Sequence, residues 1–298
     1  MKLWDKGYDT DSFVEEFTVG RDRELDLYLA EADVLGNMAH QKMLCSIGLL
    51  SKEDSEALEK GLKEIYQQVL DGKFQIEDGV EDVHSQVEFM LTQMCGQAGK
   101  KIHTGRSRND QVMVDIKLFS RSALIALQES VEQLFHTFMA KAEQYKDLLM
   151  PGYTHMQVAM PSSVGMWLSA YAEALADDLL MLKAAYGLVN LNPLGSGAGY
   201  GSSVPLNRKM TTELLGFDDL AYNSIYAQMQ RGKTERTVLT AIAAIAATIG
   251  RLAQDVCLYS CANFGFVKLP DAFTTGSSIM PHKKNPDIFE LSRAKCNR

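Results

Sequence analysis

TERTVLTAIAAIAATIGRLAQDVCLY, Thr234 to Tyr259, decides the fold class. Val238, Ile242, Ile245, Ile249, Leu252, Val256 and Tyr259 recur at alternating spacings of four and three, which puts them on one face of an α-helix. Between Thr237 and Ile249 the segment is nearly apolar all round, so it is expected at the centre of a helical bundle. Its most apolar run, Ala241–Gly250, is followed by Arg251. That run is well short of the ~20 residues a membrane span needs, so it is expected to be a buried helix.

Working outward, two more stripes have the same period. Leu124, Leu127, Val131, Leu134 and Phe138 form one; Leu168, Tyr171, Leu175, Leu179, Leu182 and Tyr186 form the other. Helices of about 30 residues would run about 45 Å and share their stripes among several neighbours. Ser12-x-x-Glu15 and Ser51-x-x-Asp54 have capping-box spacing at helix starts. There are only 7 prolines, and no βαβ alternation supports a doubly wound sheet. The fold class reads as all-α, a long-helix bundle.

The 298 residues carry 30 Lys+Arg against 38 Asp+Glu, a net charge of −8. The excess is uneven, since residues 1–100 are strongly acidic and the remainder slightly basic. An acidic chain without a basic tract disfavours a nucleic-acid partner, while the later part suits a small anionic ligand. Cys45, Cys95, Cys257, Cys261 and Cys296 are an odd, scattered set without CxxC, as expected of thiols in a reducing compartment. The opening MKLWDKGYDTD has no apolar signal core, so a cytoplasmic location is expected and no membrane partner.

Four polar, glycine-containing stretches interrupt the helices and read as loops: His103–Gln111, Met150–Gln157, Asn192–Ser203 and Thr274–Pro286. Gly195–Gly201 fails GxGxxG because Tyr200 stands at its last glycine position. Gly232-Lys233-Thr234 fails as a P-loop because position 227 is Ala. The six histidines show no HExxH and no zinc spacing, so neither a cofactor nor a metal is expected. What survives is a set of polar groups on the loops: Ser107, Arg108 and Asn109; Thr154 and His155; Ser277 and Ser278; Lys283, Lys284 and Asn285. Cationic and amide donors suit carboxylates, and one imidazole with one loop hydroxyl suits proton movement. The set points to a site that grips a dicarboxylate and moves a proton.

GSSIMPHKKNP (Gly276–Pro286) resembles the GSSxMPxKxNP signature of the fumarase/aspartase superfamily. HTGRSRNDQ, PGYTH and EDVH (Glu81–His84) resemble its argininosuccinate lyase branch, and the likeness runs from LAEAD (Leu29–Asp33) to the end of the chain. The resemblance implies a smaller N-terminal helical domain over 1–106 and a central long-helix bundle over 107–298. It implies reversible anti elimination of argininosuccinate to arginine and fumarate without a cofactor, in a homotetramer whose sites are shared between subunits. By the same resemblance Ser277 is the general base, Lys283 favours its alkoxide and the carbanion-like intermediate, and His155 transfers a proton or orients the leaving guanidinium. Thr154 and Asn285 bind substrate, and Ser107, Arg108 and Asn109 hold the fumarate carboxylates. Asp82 and His84 stand one layer back.

The sequence departs from the pattern in four places. The family's chains continue past RAKCNR (Arg293–Arg298), so its later substrate-binding residues and small C-terminal domain have no counterpart here. Asp22 aligns near a substrate-binding serine, QRGK (Gln230–Lys233) keeps Arg231 but loses two acids, and His282 gives the MPHK of adenylosuccinate lyases. The alternatives are a sibling lyase releasing fumarate from adenylosuccinate or another succinyl-amine, and a catalytically silent truncated scaffold.

Overall fold

The computed structural model describes Phe17 and residues 19–298. The expected Ser12 capping box lies outside the described residues. In chain order the helices are α1 (Asp22–Leu25), α2 (Ala30–Ser46), α3 (Lys52–Leu70), α4 (Val83–Cys95), α5 (Gln97–Lys100) and α6 (Arg108–Gln144). A hairpin, β1 (Leu149–Thr154) and β2 (Gln157–Ser163), leads to α7 (Val164–Val189). Then come β3 (Leu191–Asn192), α8 (Arg208–Leu214), β4 (Asp219–Leu220), α9 (Ser224–Met229), α10 (Lys233–Ser260) and α11 (Asp287–Cys296). The class is all-α, as the periodicity predicts: the three long apolar stripes lie on α6, α7 and α10.

Two compact units form, each from two stretches of chain. The first comprises the chain up to Ala123 with Gly187–Thr234; the second comprises Leu124–Tyr186 with Glu235–Arg298.

In the first unit, α2, α3 and α4 bury Leu44, Leu58, Leu62, Ile65, Val83, Val87 and Leu91 in one core. Each such side chain contributes roughly 1.5–3 kcal/mol. The Ser51 hydroxyl accepts the Asp54 amide at 3.0 Å, so the expected cap does start α3. A smaller cluster of Ala32, Ala39, Val114, Leu118, Leu194, Leu215 and Phe217 lies beside the β3–β4 pair, which is parallel with Leu191 opposite Asp219.

In the second unit, Leu124, Val131 and Phe138 of α6 and Leu175 and Leu182 of α7 are buried, as the stripes require. The rings of Tyr153, Trp167, Tyr259, Phe264 and Phe266 meet at centroid distances of 5.4–6.3 Å. Asp255 ties this cluster down, accepting from Trp167 Nε1 at 2.9 Å and from the Tyr171 hydroxyl at 2.7 Å.

Two expectations change. Met150–Gln157 is not a loop but most of a β-hairpin, antiparallel from Leu149↔Ser163 to Thr154↔Gln157 with an irregularity at Gly152/Tyr153. Cross-strand hydrogen bonds override the proline and glycine that made the segment read as loop. And α10 is helical but not enclosed. Ala241, Ile245, Ala253 and Val256 are buried, yet Leu239 is 63% and Ile242 38% exposed. The described residues supply too few neighbours to cover a helix apolar all round. By length and composition α10 could cross a membrane, with only 28% of its most apolar stretch buried.

Candidate active site

The first unit holds Ser107, Arg108 and Asn109 at the start of α6, where the helix dipole favours anions. The start is fixed by two side-chain caps: Asp110 Oδ1 accepts the Ser107 amide at 2.8 Å, and Ser107 Oγ accepts the Asn109 amide at 3.2 Å. The other Asp110 oxygen accepts the amides of Gly195 at 2.8 Å and Gly197 at 3.1 Å. Thus the Gly195–Gly201 stretch, which fails the dinucleotide pattern, wraps a buried carboxylate of its own chain. Gly195 has φ +87°, and a Cβ there would meet Arg208 Cγ at 2.8 Å, so only glycine suits the position. Gln228 Nε2 donates to Ser196 Oγ at 3.0 Å and to the Gly197 carbonyl at 3.2 Å. Arg231, retained in QRGK, donates to the Asn109 carbonyl at 2.9 Å.

Arg108 is engaged with the EDVH segment. Its Nε lies 3.3 Å from Asp82 and its Nη2 donates to Ser85 Oγ at 3.1 Å. Asp82 also caps α4, accepting the Ser85 amide at 2.7 Å. Behind this surface lies a fully buried polar cluster. Asp33 accepts from His84 Nδ1 at 2.8 Å, Gln111 Nε2 at 2.7 Å and Asn37 Nδ2 at 2.9 Å. Arg106, half-buried with its guanidinium Nε and Nη1 fully covered, donates to Asn37 and to the Ile102 carbonyl. His40 stays neutral: burial first, then Arg106, lowers its pKa well below the usual histidine range. Nearer the surface, burial raises the Asp26 carboxyl to about 6, while the Val83 amide opposes that shift.

In the second unit, Thr154 and His155 lie exposed at the hairpin tip. His155 has φ 52° and Met156 φ 60°, both in the left-handed region that disfavours side chains. The segment Gly276–Lys284 is a loop closed at its base. Thr275 and Asn285 exchange backbone hydrogen bonds at 3.2 and 2.8 Å, and the Thr275 hydroxyl donates to Asp287. Within the loop Ser277 is half-buried, Ser278 and Lys283 are exposed, and Lys284 pairs with Asp271. The hairpin tip and this loop make no hydrogen bond or ion pair with each other among the described residues. Ser107–Asn109 belong to the first unit, and Thr154, His155, Ser277, Lys283 and Asn285 to the second.

Asp110, Gln111, Asp33 and Asp115 were not among the residues singled out from the sequence. Ser107-x-x-Asp110 has capping-box spacing and could have flagged Asp110. No local signal marks Asp115, which is buried mid-helix. By donor type Asp33, His84 and Asp115 could hold a cation, their ligand atoms lying within 4.8 Å of one another. The cluster already contains one, the Arg106 guanidinium.

A helical fold, an anion-suited helix start and a GSSxMPxKxNP loop define a lyase, and a family profile described as "Lyase" matches residues 6–298. The chain belongs to that family. Over all 298 residues it is 64% identical to the argininosuccinate lyase of Bacteroides fragilis, covering 67% of that protein. It is 41% identical to that of Thermotoga neapolitana, covering 98% of this chain and 74% of that one. Within the family the chain therefore stands in the argininosuccinate lyase branch, among carbon–nitrogen lyases. A solved EDDS lyase with bound formate superposes with TM-score 0.82 at 32% identity, covering 98% of this chain and 57% of its own. A class II fumarase from Schistosoma mansoni, 20% identical with TM-score 0.78, shares the fold, covering all of this chain and 71% of its own.

Proposed function

We propose that this chain carries argininosuccinate lyase chemistry, the reversible elimination of argininosuccinate to arginine and fumarate in arginine biosynthesis. The observation that carries this reading is the signature loop Gly276–Pro286, closed at its base by Thr275 and Asn285, in a chain 64% identical to argininosuccinate lyases. The difficult step removes a weakly acidic Cβ proton beside a carboxylate. Ser277 takes that proton. A serine hydroxyl is a poor base, and the Lys283 ammonium helps by favouring the alkoxide and by stabilising the dianion that forms. Asn285 holds the loop and a substrate carboxylate.

Thr154 and His155 bind and polarise the substrate, with His155 on the acid side or orienting the guanidinium. Ser107, Arg108 and Asn109 receive the fumarate carboxylates. Residues 1–106 serve as an N-terminal helical domain and 107–298 as the bundle domain of a cytoplasmic homotetramer whose sites are shared between subunits. The open face of α10 supports assembly, since an exposed apolar surface of that extent is normally an interface. The reaction uses no cofactor and no metal, and the protein engages neither nucleic acid nor a membrane.

The test is fumarate release from argininosuccinate, followed by the ultraviolet absorbance of the new double bond after exhaustive chelation. Release at a rate unaffected by the chelator is expected. Release from adenylosuccinate in its place would assign the chain to a sibling lyase, the direction in which His282 leans. A folded protein that releases fumarate from neither substrate would favour the silent scaffold.

A further inference from the structure

Asp33, His84 and Asp115 come from three separate helices, α2, α4 and α6, and all are buried. Asp33 is fully partnered by His84, Gln111 and Asn37. Asp115 is not, since neither of its oxygens accepts a hydrogen bond, although His84 Nδ1 lies 3.3 Å from Oδ2. Two charged groups of opposite sign to the acids face the cluster, Arg106 and Arg108, and Arg108 is paired with Asp82. Arg106 is shared with Asp33 and Asp110, and Glu88 also faces it. The imidazoles facing Arg106, His40 and His103, are both pushed toward the neutral form, chiefly by burial. His84 is the imidazole in contact with both acids, and an ionised Asp115 would leave its one Nδ1 to serve two buried carboxylates whose oxygens lie within 4.8 Å of it and of each other.

We propose that Asp33 and Asp115 share one proton, carried by Asp115, and that this proton locks the Asp82–Ser85 and Ser107–Gln111 segments together. As a neutral acid Asp115 becomes a donor and points its hydrogen at Asp33, the acceptor that His84 and Gln111 already address. The node then joins α2, the start of α4 and the start of α6 with one buried negative charge in place of two. Burial first, and then the charge of Asp33, moves the Asp115 carboxyl in the same direction, well above the usual range. A resident divalent metal is the competing occupant, and the experiment below separates it from a proton. The lock concerns segments the lyase reading uses for carboxylate binding, yet its test needs no substrate, so the two readings fail separately.

The experiment uses the wild type, Asp115→Asn and Asp115→Ala. At pH 8 in heavy water, infrared spectra of the wild type are expected to show a protonated-carboxyl stretch that Asp115→Asn lacks. A folded-state carboxyl held protonated above its unfolded pKa stabilises fully below that unfolded value, and its contribution is lost as pH rises through the folded value. The amide of Asp115→Asn mimics the neutral acid and does not titrate. Its urea midpoint relative to wild type should therefore rise with pH, and amide protection at Val83–Ser85 and Asn109–Gln111 should fall with pH only in wild type. Asp115→Ala, which has no donor, should be less stable than Asp115→Asn throughout. A wild type without the protonated band overturns the proposal even where neither variant folds. So does an Asp115→Asn protein that loses relative stability as pH rises, or a stoichiometric Zn²⁺ or Mn²⁺ effect on the wild-type midpoint that Asp115→Asn abolishes.

Discussion

The start of α6 and the Gly276–Lys284 loop carry the two halves of the proposed chemistry, and they are built in opposite ways. At the helix start a wholly buried carboxylate, Asp110, accepts three backbone amides, and Arg231, Gln228 and Asp82 tie the surroundings together. The loop is held at its base by the Thr275–Asn285 pair, while its tip leaves Ile279 84% exposed. Groups that bind fixed charge gain from being rigid, because no reorganisation is needed when the ligand arrives. A loop that must admit substrate and then cover it needs a pinned base and a free tip.

The largest expected effect lies on the loop. Ser277→Ala should lower turnover by about 10²–10⁴-fold with substrate binding largely kept. Near-normal turnover would remove Ser277 as the base and leave the loop a structural element. His155→Asn should also lose turnover while far-ultraviolet circular dichroism is unchanged, because the hairpin tip is exposed and supports no core. A loss of helical signal would make that histidine structural and blur the contrast between the two regions.

On the rigid side, Asp110→Ala removes one acceptor from three amides, two of them on the glycine stretch. About 3 kcal/mol of lost stability is expected, read from the urea midpoint, with amide exchange fastest at Gly195 and Gly197. A loss below ~0.5 kcal/mol would show that water replaces the carboxylate and that the helix start is no more fixed than the loop. The smallest effect is at Asp26, whose pKa of about 6 lies above its unfolded value. Its stabilisation is complete below about pH 4 and is lost as pH rises through 6, so Asp26→Asn should flatten that part of the stability profile. Parallel profiles would place its titration in the ordinary range.

Much of this was legible in residue spacing. Stripes at alternating threes and fours put Leu124, Leu175 and Ile245 on buried helix faces, and Ser51-x-x-Asp54 marked where α3 begins. The polar stretches named the residues of the proposed site. The hairpin was not legible, because Pro151 and Gly152 read as loop until β2 pairs with them. Nor was the openness of α10, since a stripe tells which face seeks cover but not how much cover its neighbours provide.

The sequence by itself determined the helical class, the family and the candidate chemistry, because each depends on residues near one another along the chain. Only the tertiary structure decided that Asp110 holds the glycine stretch and that Asp33, His84 and Asp115 meet in one buried node. Asp33 and Asp115 are separated along the chain by α3, α4 and α5, and the protonation state of a carboxyl is set by burial and by charges brought to it in space.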